Sequence, residues 1–255
     1  TRVRSSAASD VYKRQGVIPK VRGGYRSIPM ERLLDTARQM VGEGVKELIV
    51  IAQETTLYGT DLYGKKSLHI LLEKLCRIEG LVWIRLLYCY PEEIYPELVD
   101  TIAREPKICH YLDLPIQHCS DSILKRMGRK TTKADLERII TEIRERIPDM
   151  VIRTTLITGF PGETKEDHED LMQFVADMPF VRLGVFTYSP EEDTPAAAME
   201  NQVPEEVKEQ RKAELMELQQ DISLELDQER IGEELLVFVE GKVADENAYV
   251  GRTYA

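Results

Sequence analysis

Val151-Ile-Arg-Thr-Thr-Leu-Ile157, running through Thr158 into Gly159-Phe-Pro-Gly-Glu-Thr164, is the stretch that decides the fold. Its first part is short, apolar and rich in β-formers, so it reads as a buried strand. Glycines close the strand. Thr164 with Asp167 then makes a capping-box-like helix start ahead of Leu171, Phe174 and Val175. The same unit recurs along the chain. Strands are expected at Glu47–Ala52, Val82–Tyr88, Tyr111–Leu114 and Arg182–Tyr188. Between them, Ser67 stands where it can cap a helix carrying Leu68, Leu71, Leu72 and Leu75. Thr132 with Asp135 opens another, carrying Leu136, Ile139, Ile140 and Ile143. Near-continuous apolar strands joined by helices imply an α/β fold with a parallel sheet covered by helices, either open or curled into a barrel.

Outward from this core the character changes at both ends. Residues 1–16 show neither helical nor strand period, and the composition changes abruptly at Val17. They are expected to be a disordered lead-in, foreign to the rest of the chain. Residues 17–203 form the expected barrel core. Residues 204–232 are a linking helix that would span roughly 40 Å at 1.5 Å per residue. In 233–255, Leu235–Glu240 and Ala248–Thr253 alternate like antiparallel strands, and a two-stranded remnant is marginal alone.

Composition narrows the function classes. With 42% apolar and 31% charged residues the chain is globular rather than disordered. Runs such as Leu48–Ala52 fall far short of the roughly 20 apolar residues a membrane helix needs, and no apolar leader is visible. A net charge of −11 argues against a large nucleic-acid footprint, which is usually basic, and favours a protein or small-molecule substrate. Cys76, Cys89, Cys109 and Cys119 are too scattered for a disulfide scaffold, so reduced thiols and a cytoplasmic location are expected.

In barrels, chemistry sits at the carboxyl ends of the strands. Here those ends carry polar segments: Gln53-Glu54-Thr55-Thr56, Cys89-Tyr90-Pro91, Gln117-His118 and Thr158 to Gly162. They point to one shared site, although loops after strands are polar in any case. The glycines at 159 and 162 would let backbone approach a ligand, and the adjoining helix start offers free N–H groups; an ordinary strand-to-helix turn would look the same. Arg153, in an apolar strand, needs a partner. That partner is either a carboxylate, of a ligand or of Glu54, or a structural ion pair. Gly59 to Lys65 approaches a phosphate-binding loop, but Lys66 replaces the magnesium-binding Ser or Thr, so it reads as a surface loop. Cys109-His110 and His118-Cys119 do not read as zinc ligands, because strand neighbours point to opposite faces and no C-x-x-C is present. Cys76 reads as core, and His69 and His168 as surface.

Ile18-Pro-Lys-Val-Arg-Gly-Gly-Tyr-Arg-Ser27, Ile51-Ala-Gln-Glu-Thr-Thr56, Arg85-Leu-Leu-Tyr-Cys-Tyr-Pro91, Leu114-Pro-Ile-Gln-His118, Arg153 to Thr164 and Leu183-Gly-Val-Phe-Thr-Tyr-Ser189 together resemble the radical S-adenosylmethionine (SAM) methylthiotransferases, over about residues 17–255. Gln117-His118, Leu86-Leu-Tyr-Cys-Tyr90 and Gly251-Arg-Thr-Tyr-Ala255 resemble the branch acting on an aspartate of a small-subunit ribosomal protein, rather than the branch acting on tRNA adenosine. The resemblance implies a partial TIM-type (βα) barrel continuing into the start of a truncated TRAM-like β domain. It implies SAM as cofactor, two four-iron clusters in the parent enzyme, and reductive cleavage of SAM to a radical that activates the aspartate β-carbon for methylthio transfer. The electron donor stays open, no membrane partner is implied, and RNA contact would come through a complete TRAM domain.

By the same resemblance Gln53 and Glu54 lie where the methionine amino group is held. Arg153 meets the methionine carboxylate or the ribose, Ile157 and Gly159 flank adenine, and Gln117 lies at a neighbouring strand end. One departure bears on all of this. The family's C-x-x-x-C-x-x-C would place its third cysteine at Gly16, and glycine cannot replace a thiolate ligand. No cluster and no turnover are therefore expected of this chain alone. The other readings left open are a tRNA-modifying fragment and a cluster-free binding module.

Overall fold

The computed structural model describes residues 2–4, 25–244 and 246–255, with backbone alone for residues 2–4. Gly16 and the Ile18–Gly24 segment lie outside them.

Six strands form one parallel sheet among the described residues: β1 (Arg2–Arg4), β2 (Glu47–Ile51), β3 (Trp83–Leu87), β4 (Ile108–Asp113), β5 (Val151–Thr158) and β6 (Arg182–Thr187). Their spatial order is that of the sequence. Helices cross between them: α1 (Met30–Gly42), the short α2 (Thr60–Tyr63), α3 (Leu68–Cys76), α4 (Pro96–Arg104), α5 (Asp121–Arg126), α6 (Lys133–Arg146) and α7 (Lys165–Asp177). A monotonic order with right-handed crossovers puts every helix on one side of the sheet and curls it toward a barrel, whereas a doubly wound sheet reverses its order.

The helix-covered face carries Leu48, Val50, Ile84, Leu86, Leu112, Ile152, Leu156, Leu183 and Val185, packed in one core with Leu34 and Ala37 of α1, Leu72 of α3, Ile102 of α4, Ile140 of α6 and Phe174 of α7. Each such fully buried Leu or Ile contributes about 1.5–3 kcal/mol of burial. Thr132 and Thr164 both close complete capping boxes with Asp135 and Asp167, as their sequence signatures require. Ser67 stands at its N-cap, but its hydroxyl donates to Lys65 O rather than capping α3.

The opposite face is where the expectation of continuously apolar strands fails. Glu47, Arg85, Asp113, Arg153 and Arg182 alternate with the core residues and line the inside of the curled sheet, because period-2 geometry sends every second residue there. One end of this inner face is closed by the chain's own C-terminal hairpin, β7 (Phe238–Lys242) and β8 (Tyr249–Arg252), which pair antiparallel as the alternation suggests. Phe238, Tyr254 and Ala255 pack against Trp83, Cys109, Tyr111 and Val151. Arg252 and Arg85 both donate to the buried carboxylate of Glu47, and Arg85 also donates to Tyr254 O. The linking helix, α8 (Glu205–Glu229), lies on β6. Its buried face mixes Leu215 and Ile222 with Lys208, Arg211 and Gln219.

The described residues of the lead-in, Arg2 to Arg4, are not without structure: they run parallel to Ile49–Ile51. His168 also departs from expectation. It is buried, with Nε2 2.7 Å from Glu214 of α8, a partner too distant in sequence to be foreseen. Among the described residues, no helix is long and apolar enough to cross a membrane.

Candidate functional site

The carboxyl ends of β2 to β5 are joined by an unbroken series of hydrogen bonds. After β2 the chain turns sharply at 53–56. Glu54 is buried, and its Oε1 accepts from Thr56 N at 3.0 Å, from the Thr56 hydroxyl, and from Tyr90 N at 3.4 Å. Thr55 N donates to Tyr88 O, and the Thr55 hydroxyl to Leu87 O. The segment after β2 is thus fastened to the end of β3.

Tyr88 takes φ +58°. Its N–H donates to Asp113 Oδ2 at 3.2 Å, and Cys89 N to Asp113 O at 2.9 Å. Asp113 Oδ1 receives Arg153 Nη1 at 2.6 Å. Arg153 therefore has a structural partner on β4 and does not reach for Glu54. Its side chain remains 39% exposed, open to the inner face.

Gln117 also has positive φ, +71°. Its N–H donates to Thr155 O at 2.9 Å, and its own carbonyl accepts from Ile157 N at 2.8 Å. The sheet is thereby prolonged past the end of β4, with Gln117 paired opposite Leu156 and next to the half-buried Ile157. Non-glycine residues at positive φ persist only where their surroundings over-determine them, and such strain gathers at ligand sites. Two such residues here stand at adjoining strand ends.

Gly159, at φ +70°, is buried beneath α8: a Cβ there would overlap the Cγ of Lys208. A Cβ on Gly162 would meet only the movable guanidinium end of Arg126, and there the φ of +83° is what calls for glycine. Gly159 is thus required by the stem of Lys208 and Gly162 by its backbone, and not solely by the approach of a ligand. Glu163 draws the turn together, its Oε2 accepting from Gly159 N and Phe160 N.

Gln53, Gln117, Arg153 and Ile157 thus stand partly exposed at or inside the mouth, while Glu54 and Gly159 lie buried and shape it. Sequence reasoning missed Asp113, Tyr88, Glu163, Lys208 and Arg211. An acid ending an apolar strand was a usable signal for Asp113, and the acid closing the glycine turn was one for Glu163. For the two cations of α8 there was none.

A protein-family model described as the Radical SAM superfamily matches residues 8–175. The chain belongs to the radical SAM superfamily. Within it, the chain is 60% identical over 238 residues to the ribosomal protein uS12 methylthiotransferase RimO of Lachnoclostridium phytofermentans, covering 93% of this chain and 54% of that protein. The proteins of the same name from Clostridium perfringens and Clostridium botulinum are 51% and 52% identical, over 93% of this chain and 53% of theirs. The chain spans about half the length of the curated relatives it matches. Solved radical SAM structures share the fold at low identity. The methyltransferase TsrM of Kitasatospora setae has TM-score 0.59 at 17% identity, covering 73% of this chain and 36% of that one. The coproporphyrinogen III oxidase HemN of Escherichia coli has 0.54 at 19%, covering 78% and 46%. The partial-barrel α/β architecture read from the sequence is the one these neighbours share.

A radical SAM protein implies an iron–sulfur cluster and SAM. The described residues do not fit a cluster. All four cysteines are buried in separate places, and among the described residues no three His, Cys, Asp or Glu side chains converge on a metal position. Burial pushes the thiol of Cys76 up to about 12, that of Cys109 to about 11, and those of Cys89 and Cys119 up as well, away from the thiolate form a cluster needs. SAM fares better. The amides of Gln53 and Gln117, the exposed flank of Arg153 and the apolar side of Ile157 are the kinds of group an adenosyl amino acid takes.

Proposed function

We propose that this chain is the barrel portion of a radical SAM methylthiotransferase whose whole-length form modifies an aspartate of ribosomal protein uS12. The observation that carries this is the 60% identity over nearly the whole chain to a protein of that name. The strained and hydrogen-bonded strand ends supply a mouth suited to SAM. In this reading Gln53 and Gln117 give polar contacts to the methionine end of SAM and to the nucleoside. Glu54 holds the 53–56 turn in place, and Arg153 offers its exposed edge to a carboxylate or ribose oxygen while Asp113 fixes its angle. Ile157 flanks adenine on a strand end shaped by Gly159. When bound, one SAM would supply the deoxyadenosyl group that activates the aspartate, and another SAM the methyl group of the methylthio that is transferred. No step is assigned to a cluster within this chain, and the chain alone is expected not to cleave SAM. Two clusters, action on the aspartate-containing loop of uS12 and any RNA contact made through a complete TRAM domain are assigned to the whole-length enzyme.

The test is mass spectrometry of uS12 and of tRNA after reaction with the whole-length enzyme, whose sequence should carry C-x-x-x-C-x-x-C directly before Val17. A methylthio group on the uS12 aspartate supports the reading, and a methylthio group on tRNA adenosine refutes it. Iron and sulfide analysis of this chain after anaerobic reconstitution checks the second part: a stoichiometric cluster would contradict it.

A further inference from the structure

In the sequence, helix α8 reads as a spacer, and a spacer has no use for buried cations. An apolar seam would dock it as well, and Leu215 and Ile222 already provide one. Yet Lys208 and Arg211, on its first turns, are 5% and 8% exposed and face the end of β5. Burying such ions costs about as much as their pairing returns, so their presence contributes position more than stability.

The contacts show what is positioned. Arg211 Nη1 donates to Glu163 Oε1 at 2.9 Å and to Glu163 O at 3.2 Å. The other oxygen of Glu163 holds the amides of Gly159 and Phe160. Lys208 lays its stem across Gly159 and donates from Nζ to Tyr188 O at 2.9 Å, while its own carbonyl accepts from Thr158 Oγ1 at 3.3 Å. Tyr188 N in turn donates to Thr158 O at 2.8 Å. The ends of β5 and β6 and the Gly159–Glu163 turn are thereby tied to one rigid helix, immediately beyond Ile157.

We infer that Arg211 and Lys208 are positioning residues, holding the Gly159–Glu163 turn in the conformation that presents the β5 end to SAM. The ligand half of this inference rests on the proposed function; the clamp itself does not. Arg211 acts through Glu163, and Lys208 by covering Gly159, so neither touches the ligand.

The experiment uses the full 255-residue chain, with Arg211→Ala, Arg211→Lys and, as a control on the exposed side of the same helix, Glu209→Ala. Three quantities are read: amide hydrogen exchange at Gly159 and Phe160 by NMR, SAM affinity by titration well below the melting temperature, and the melting temperature itself. Arg211→Ala should speed exchange at both amides at least about tenfold and weaken SAM binding by a similar factor. Arg211→Lys should recover part of both, and Glu209→Ala should leave both unchanged. A lower melting temperature with unaltered exchange and affinity would overturn the inference, because Arg211 would then be merely structural. If the unmutated chain failed to bind SAM while exchange still responded, the clamp would stand and the ligand half of the inference would fall, while the functional reading would still be decided by the mass analysis of uS12 and tRNA.

Discussion

Glu47→Ala tests whether the C-terminal hairpin truly seals the inner face of the barrel. The Glu47 side chain is 4% exposed, and it accepts Arg85 Nε at 3.0 Å and Arg252 Nη1 at 2.9 Å. Removing it strands the Arg85 guanidinium, itself 9% exposed, with the Tyr254 and Thr253 carbonyls and the face of Tyr111 4.6 Å away. Arg252 is less committed, being 32% exposed and able to fall back on Glu240. Breaking a buried pair from one side costs about 3–5 kcal/mol, and the exposure of Arg252 places this case near the low end. At roughly 2–4 °C per kcal/mol for a chain of this size, the melting temperature should fall by about 6–12 °C. Trp83, the one tryptophan of the sequence, sits 6.1 Å from the Phe238 ring, so its emission should shift red as the hairpin lifts. Burial alone would raise the Glu47 carboxyl, but the hydrogen bonds from Arg252 and Arg85 outweigh it and hold the group below its ordinary range. The stability this contributes is present above the unfolded value of about 4.3 and is lost as pH falls through the lower folded value. Glu47→Gln should therefore flatten the acid limb of the melting profile. A Glu47→Ala chain melting within about 2 °C of the unmutated one, with unchanged Trp83 emission, would refute the docking argument, since the cited cost would then be absent.

Other buried groups give further expected outcomes. His118 is buried, accepts Ser120 N on Nδ1, and is pushed down to about 4, chiefly by burial. It folds neutral, so its contribution is intact above the unfolded value of about 6.5 and is withdrawn as pH drops toward 4; His118→Gln should remove that slope from denaturant-midpoint measurements across this window. Gly159→Ala must hold φ +70° and displace Lys208, so a loss of at least about 1–3 kcal/mol is expected by urea unfolding, and an unchanged midpoint would contradict the close approach of α8. Thr132→Ala and Thr164→Ala each break a complete capping box and should cost about 1 kcal/mol, additively because they cap different helices.

Much of the fold was legible locally, and for definite reasons. The β-rich stretch at 151–157, the two capping boxes and the glycine turn each depend on residues within a few positions of one another. β1 was not read as a strand at all, and β4 starts at Ile108 rather than Tyr111, because Cys109 and His110 interrupt its apolar run. α1 and α4 are not announced in the sequence, since neither start has a side-chain cap. The candidate site was half legible. The polar strand ends identified the mouth, but not which of their side chains face it: Glu54 turned inward to hold Thr56 and Tyr90, and Arg153 chose Asp113 over Glu54.

By itself the sequence determined most of the succession of strands and helices, the parallel sheet and the polar strand ends, because periodicity and capping are short-range and survive in a linear reading; whether the sheet stays open or curls was left to the tertiary structure. Tertiary structure alone decided the partners of the charges. Glu47 with Arg252, Glu163 with Arg211 and His168 with Glu214 lie far apart along the chain, and only the closing of the sheet removes the water that would otherwise have satisfied each of them.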